Sequence, residues 1–237
     1  VIPVLHEGAA ILETLRSLAA AAGGVAYEVI VVDGDGAGST IAHLATMETP
    51  LSSVPVRTVV TDPGRGGQLN AGAAIARGRL LLFLHSDARL PDRALADLVK
   101  TLPADISQPA AAAFDLAIAH PRLALKTIAT VASWRSRLTR IPYGDQGHCV
   151  RRAVFEAIGG YPPWPLMEDV GLMQTLKRRG DRLVILPRAI AVSPRRWLRE
   201  GVVRCTLRNW LLLGLYYAGV SPSRLAAWYR SERPKAS

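Results

Sequence analysis

The segment Leu81-Leu82-Phe83-Leu84-His85-Ser86-Asp87 constrains the fold most: it is an apolar run that stops abruptly on an acidic residue. A run of that length bounded by polar residues reads as a buried strand of a parallel sheet, and open α/β sheets put their ligands at the carboxyl ends of such strands. A second run, Glu28-Val29-Ile30-Val31-Val32, ends the same way on Asp33-Gly34-Asp35. Two strands thus deliver carboxylates to one edge of a sheet. Taken singly, each Asp reads first as a helix N-cap or turn residue. A third acidic site far downstream, Glu168-Asp169, turns the set toward a metal or phosphate site.

Strand and helix patterns alternate along the chain. Strands are expected over 1–5, 28–32, 56–61 and 79–84, with helices over 9–22, 40–47, 68–77 and 92–102 between and after them. In the first helix Ile11, Leu12, Leu15 and Leu18 share one face, and Gly23-Gly24 stops it. Asp62-Pro63-Gly64-Arg65-Gly66-Gly67 reads as a flexible turn. This order favours a doubly wound, mostly parallel sheet. Beyond residue 110 the pattern loosens into a strand over 111–119, a helix over 123–138, a short strand over 147–150 and a helix over 153–158. Gly159-Gly160-Tyr161-Pro162-Pro163-Trp164-Pro165 must be a loop, and a helix follows over 170–179.

At 237 residues, 49% of them apolar, the chain can bury a full core, and with no clear linker one large domain is preferred over two small ones. The net charge of +10 suggests an anionic partner: a nucleotide, an acidic lipid surface or a nucleic acid. Cys149 and Cys205 lie in different elements without metal-ligand spacing, so neither a disulfide framework nor a zinc site is indicated and a reducing compartment is the default. The chain runs from Val1 straight into a strand with no signal-peptide pattern, which leaves room for residues upstream.

Six segments stand in an order with a family resemblance. They are Ile2-Pro3-Val4-Leu5-His6-Glu7, Val31-Val32-Asp33-Gly34, Gly64-Arg65-Gly66-Gly67-Gln68-Leu69-Asn70-Ala71-Gly72, Leu84-His85-Ser86-Asp87, Met167-Glu168-Asp169 and Arg195-Arg196-Trp197. Together the chain resembles family 2 glycosyltransferases of the GT-A fold, especially a bacterial subgroup associated with radical-SAM and selenium-related proteins. The resemblance spans nearly the whole chain. It implies a single α/β GT-A domain with an open, mostly parallel twisted sheet flanked by helices: a nucleotide-sugar-binding half over 1–102, an acceptor-side half over 103–197 and C-terminal helices over 198–237.

The resemblance also implies roles. Pro3, Glu7, Asp33, Asp35, Arg65, Gln68, Asn70, Ser86, Arg196 and Trp197 would contact a nucleotide-diphosphate sugar donor. Asp33 or Asp35 would take the base or ribose, although Gly38 stands where the family commonly has an acid. Gln68 and Asn70 are as well accounted for by capping and packing as by an anion. Asp87 matches the last acid of the family's D-x-D motif, and His85 replaces the first. One carboxylate with diphosphate oxygens and waters suffices for Mg²⁺ or Mn²⁺, with imidazole better suited to Mn²⁺. His85 reads equally as a residue behind the ligands or a packed one. Asp169, with Glu168 beside it, resembles the catalytic carboxylate that takes the acceptor's hydroxyl proton in an inverting displacement; burial would raise its pKa toward the working pH. Arg195-Arg196-Trp197 would close the site, where the family more often has Gln-x-x-Arg-Trp.

The stretch 202–220 is apolar but carries Arg204, Arg208 and Asn209, so it fails as a spanning helix. With Trp210, Leu213, Tyr216 and Tyr217 it suits either an anionic membrane surface or packing on the domain. Ser221-Pro222 starts a final helix. The expected partners are a nucleotide-sugar donor, an acceptor that is a lipid, saccharide or small molecule, and an anionic membrane surface, with no nucleic acid. A cytoplasmic place at the inner membrane fits them. A sugar nucleotidyltransferase would carry a Gly-rich triphosphate loop after its first strand, where only His6-Glu7-Gly8 stands. A degenerate basic nucleotide- or nucleic-acid-binding protein would explain the charge but not the acids at strand ends.

Overall fold

The computed structural model describes residues 1–7, 10–46, 54–105 and 107–231. The expected helix ends at Ala9 and Met47, and residues 232–237 of the C-terminal part, lie outside them.

β1 (Ile2–Val4), β2 (Val29–Asp33) and β3 (Val56–Val60) form a parallel sheet with β2 in the middle. β2 is buried along its whole length. Its side chains alternate between the faces of the sheet: Val29 and Val31 enter one core, Ile30 and Val32 the other, as the period of two demands. On the first face α1 (Ala10–Ala21) buries the expected Ile11, Leu12, Leu15 and Leu18, beside Leu95 and Leu98 of α4 (Ala94–Thr101). α2 (Ser39–Ala45) follows β2. On the other face α3 (Arg65–Ile75) lies so close to the sheet that a Cβ on Gly72 would stand 2.9 Å from Val32. Only a glycine permits that approach. α3 begins at Arg65, three residues before the expected start, so half of the predicted flexible turn is helical.

β4 (Leu80–Phe83), β5 (Ala111–Ile118), β6 (His148–Arg151) and β7 (Leu183–Val192) pair in the order β4-β6-β5-β7. β6 is antiparallel to both neighbours, and β5 and β7 are parallel. Two bonds at Val1 join the two sets of strands: its amine donates to the Leu82 carbonyl at 2.7 Å, and Leu84 N–H donates to its carbonyl at 3.0 Å. The next donor on that edge of β1 would be Pro3, which has no N–H, so the ladder to β4 stops there. The expected mostly parallel sheet is therefore observed, with one antiparallel strand inserted.

β7 went unrecognised in the sequence. Pro187 sits in the middle of its apolar pattern, which argues against a strand. The register explains how it is tolerated: Leu186 faces Phe114 and Ala189 faces Asp115, so Pro187 and Arg188 bulge out unpaired. α5 (Leu123–Thr139) covers β5, α6 (Arg152–Ala157) follows β6, and α7 (Glu168–Arg178) precedes β7. α8 (Arg195–Glu200), α9 (Val202–Tyr217) and α10 (Pro222–Ser231) complete the chain. The expected boundary at 197/198 falls inside α8.

Candidate active site

A cleft of about 990 Å³ opens between the carboxyl ends of the first strands and the elements after β5. His6, Glu7, Arg65, His85 and Asp87 reach it from one side, and Tyr143, Asp145, Glu168, Asp169, Arg196 and Trp197 from the other.

The turn after β2 is built around Asp33. Its fully buried carboxylate accepts N–H bonds from Asp35 at 3.0 Å, Thr40 at 2.8 Å and Ile41 at 3.3 Å, tying the strand end to the start of α2. Asp35 accepts from Ala37 at 3.2 Å and Ser39 at 3.4 Å and faces His6 at 3.4 Å. The Ser39 and Ala37 bonds hold its carboxyl below the usual range.

Of the two readings open for Gln68 and Asn70, an anion contact or packing, the bonds their side-chain amides make are those of struts. The Gln68 amide donates to the Val4 and Val32 carbonyls, both at 2.9 Å, and is buried. Asn70 grips the backbone of Tyr161 twice, donating to its carbonyl and accepting from its N–H, each at 2.9 Å. Its amide thereby anchors the 159–165 loop, whose Tyr161 ring packs on Phe83 and Phe155. Both amides are spent on main chain, which the fold could not otherwise satisfy in the interior. Pro3 lies within β1, and buried Ser86 has its carbonyl held at 2.6 Å by the Thr14 hydroxyl. That bond steadies the turn carrying His85 and Asp87.

Among the described residues the half-buried Asp87 side chain makes no hydrogen bond or ion pair, and the buried Nε2 of His85 has no partner. Burial, then the nearby Arg65, pushes the His85 pKa well below its ordinary value and keeps the ring neutral. A neutral imidazole and a free carboxylate form a donor set compatible with a divalent ion. No group of three or more His, Cys, Asp or Glu able to hold a metal occurs among the described residues, so His85 and Asp87 are the two donors these residues offer here.

Opposite them, Met167 adopts a left-handed backbone, φ 64°, and turns the chain into α7 with Glu168 and Asp169 in its first turn. Such strain in a non-glycine residue persists only where packing enforces it. Here Trp164 and Pro162 lie against Gly171, where a Cβ would come within 2.5 Å of the indole. Asp169 is oriented by two main-chain donors, Gly144 N–H to one oxygen and Val170 N–H to the other, each at 2.8 Å. Glu168 is 4% exposed and meets Arg65 at 3.5 Å. Burial, then the charge of Asp169, raises the Glu168 carboxyl above its ordinary value.

The residue missed in the sequence is Asp145. It sits on a single 3-10 turn, Gly144–Gln146, before β6. Gln146 locks that turn, donating to the Phe114 carbonyl at 2.9 Å and accepting from Ser136 at 2.7 Å and Tyr143 N–H at 3.1 Å. A Cβ on Gly144 would lie 3.1 Å from His85 Nε2 and 3.4 Å from Asp169, so this turn touches both sides of the cleft. Asp145 Oδ1 is buried without a partner among the described residues, and burial, then Asp169, pushes its carboxyl up to about 6. The available signal was the polar run Gly144-Asp145-Gln146-Gly147 ahead of an apolar strand.

Arg195 and Arg196 begin α8, a helix not foreseen. Arg195 meets Glu7 at 3.8 Å across the cleft, and Arg196 lines it and contacts the Tyr229 hydroxyl at 3.4 Å. Trp197 is 8% exposed and belongs chiefly to the core, though its edge reaches the cleft and its Nε1–H lacks a partner among the described residues.

Solved structures share this architecture. The mannosyltransferase PcManGT from Pyrobaculum calidifontis, in complex with GDP-Man and Mn²⁺, superposes with a TM-score of 0.57 and 22% identity, over 81% of this chain and 55% of that one. S. aureus TarS 1-349 gives 0.63 and 16%, over 94% and 66%, and its UDP-GlcNAc complex 0.61 and 17%, over 81% and 57%. These likenesses show the GT-A fold. Uncharacterized protein MT1568 of Mycobacterium tuberculosis (strain CDC 1551 / Oshkosh) is 36% identical over 99 residues, 41% of this chain and 30% of that protein. The chain thus spans between about a third and two thirds of the length of these relatives. The sequence profile of Glycosyl transferase family 2 matches residues 1–159. With that match over most of its length, on a GT-A fold whose strand ends carry the cleft, the chain belongs to glycosyl transferase family 2.

Proposed function

We propose that this protein transfers a glycosyl group from a nucleoside-diphosphate sugar to an acceptor hydroxyl with inversion. The observation that carries the reading is Asp169: a carboxylate oriented by two main-chain N–H bonds, in one cleft with the unpartnered Asp87 and the cations Arg65 and Arg196. Asp169 takes the hydroxyl proton as the acceptor oxygen bonds to the anomeric carbon, and the bond from that carbon to the diphosphate breaks. Arg65 and Arg196 receive the negative charge of the departing nucleotide. Asp87 and His85 would hold Mn²⁺ or Mg²⁺ on the diphosphate, where the ion supplies charge neutralisation of the leaving group. Asp35 and Glu7 are assigned to the nucleoside, with Asp33 and Ser86 shaping the turns that present them. Membership of the narrower bacterial subgroup rests on motif order. No helix among the described residues is long and apolar enough to cross a membrane, and contact of α9 with an anionic surface is proposed beside the transferase reading and independently of it.

A ligand that binds only the folded protein raises its stability with the logarithm of saturation. Thermal unfolding with UDP, GDP, CDP and dTDP, with and without Mn²⁺, therefore tests the reading. One nucleotide is expected to raise the Tm in a Mn²⁺-dependent way, at 100-fold saturation by about 2.7 kcal/mol of added stability, and Asp87→Ala to abolish the rise. No shift with any nucleotide would leave a family member without donor binding, and salt-sensitive DNA or RNA binding would then favour the nucleic-acid alternative.

A further inference from the structure

α5 and α9 pack against each other, and each carries two apolar faces. The inner faces are spent on the domain: Leu125 and Ala129 of α5, Cys205 and Leu212 of α9. The outer faces repeat the pattern. Leu123, Trp134 and Leu138 are 78%, 66% and 77% exposed, and Val203, Leu207 and Trp210 are 70%, 58% and 61% exposed. The outward stripe of a surface helix is ordinarily polar, so these two adjoining stripes lack the expected counterpart to water.

Their electrostatic setting is mainly cationic. Residues 116–144 contain no Asp or Glu, and residues 182–231 contain one, Glu200. The Glu200 side chain is 2% exposed and paired with Arg208. Arg122, Lys126, Arg199 and Arg224 are exposed around the stripes. Apolar side chains bordered mainly by cations, with Asp115 beside α5 paired to Arg137, match the interface of an anionic bilayer. A second copy of the chain fits poorly, because an isologous contact would press this cationic surface onto itself.

The surface is continuous with the cleft. Val131 and Trp210 belong both to the exposed stripes and to the cleft wall, and Ile128, Ala132 and Leu213 carry the apolar lining inward. We propose that α5 and α9 lie on an anionic bilayer and that the acceptor is an amphipathic lipid entering the cleft along them, its apolar part on these helices and its hydroxyl at Asp169. The acceptor assignment rests on the transferase reading; the bilayer contact does not.

The test uses the full chain and the variant Trp134→Glu/Leu207→Glu, whose positions lie outside the cleft. Co-sedimentation is measured with phosphatidylcholine vesicles and with vesicles half phosphatidylglycerol, beside the nucleotide-induced Tm shift. Binding to the anionic vesicles, at least about tenfold weaker in the variant, with an equal Tm shift in both proteins, is the expected result. With the matching labelled nucleotide sugar and vesicles of bacterial total lipid extract, label is expected in the butanol-extractable fraction, at least about tenfold less with the variant and about 10²–10⁴-fold less with Asp169→Asn. Vesicle binding equal in the two proteins, or absent, overturns the bilayer contact, as does a dimer by light scattering that the variant dissociates. Label that stays wholly in water-soluble products overturns the lipid acceptor. Vesicle binding with no nucleotide shift overturns the transferase reading and leaves the bilayer contact standing.

Discussion

The turn after β2 and the start of α7 both place acids at a helix N-terminus, yet they use them in opposite ways. At the first, Asp33 is buried and its oxygens accept three main-chain N–H bonds. At the second, Glu168 is buried with one long contact to Arg65, and Asp145 nearby keeps an oxygen without any partner among the described residues. Asp33, fully buried with its oxygens spent on three main-chain bonds, acts as scaffold. A carboxylate that burial and a like charge push toward protonation stores proton affinity, which suits chemistry. The same residue type in similar sequence settings thus serves folding in one region and, on the proposed function, is held for reaction in the other.

The contrast is tested most severely by Asp169→Asn. Turnover is expected to fall by about 10²–10⁴-fold while calorimetry shows nucleotide affinity within about twofold of wild type. Loss of nucleotide binding as well would mean that the two regions are not divided by role. The next largest effect is on folding: Asp33→Ala leaves buried N–H groups unsatisfied and should cost about 3 kcal/mol, or some 6–12 °C in Tm. An unchanged Tm would remove Asp33 from the scaffold.

Asp145 sharpens the comparison through pH. Its folded pKa, about 6, lies above the ordinary 3.8, so the folded state binds more protons than the unfolded one between these values. Its contribution is present in full below pH about 4 and is lost as pH rises through about 6. Allowing for partial exposure, the loss is about 1–3 kcal/mol. Asp145→Asn should flatten that part of the stability curve, read by urea unfolding at pH 4 and pH 7. The smallest effect is expected at the outer pair Arg137–Asp115, 2.7 Å apart and partly solvated: Arg137→Ala should cost under about 1 kcal/mol. A larger loss there would show that surface charge, and not the cleft, dominates the electrostatics of this half.

Legibility in the sequence followed how local each signal was. The strands of the first half announce themselves, because β2 is buried on both faces and must be apolar throughout. The buried face of α1 follows from its spacing. β7 was hidden because the bulge that accommodates Pro187 is a property of its pairing with β5, which no local pattern carries. Asp145 was hidden for a related reason: Gly144-Asp145-Gln146 reads as an ordinary polar turn until Gln146 is seen bonded to β5 and α5. Gln68 and Asn70 stood in a segment matched to donor binding, and only the partners 64 and 91 residues away in sequence reveal struts.

By itself the sequence determined the α/β alternation, the acids at the strand ends and the family, because hydrophobic period and motif order are written along the chain. The tertiary structure decided which polar groups are spent and which remain free. Whether a carboxylate is a cap or a reactive group depends on donors brought from distant segments and on the water that folding removes. The outer apolar stripes of α5 and α9 likewise acquire meaning only when the helices lie side by side at the mouth of the cleft.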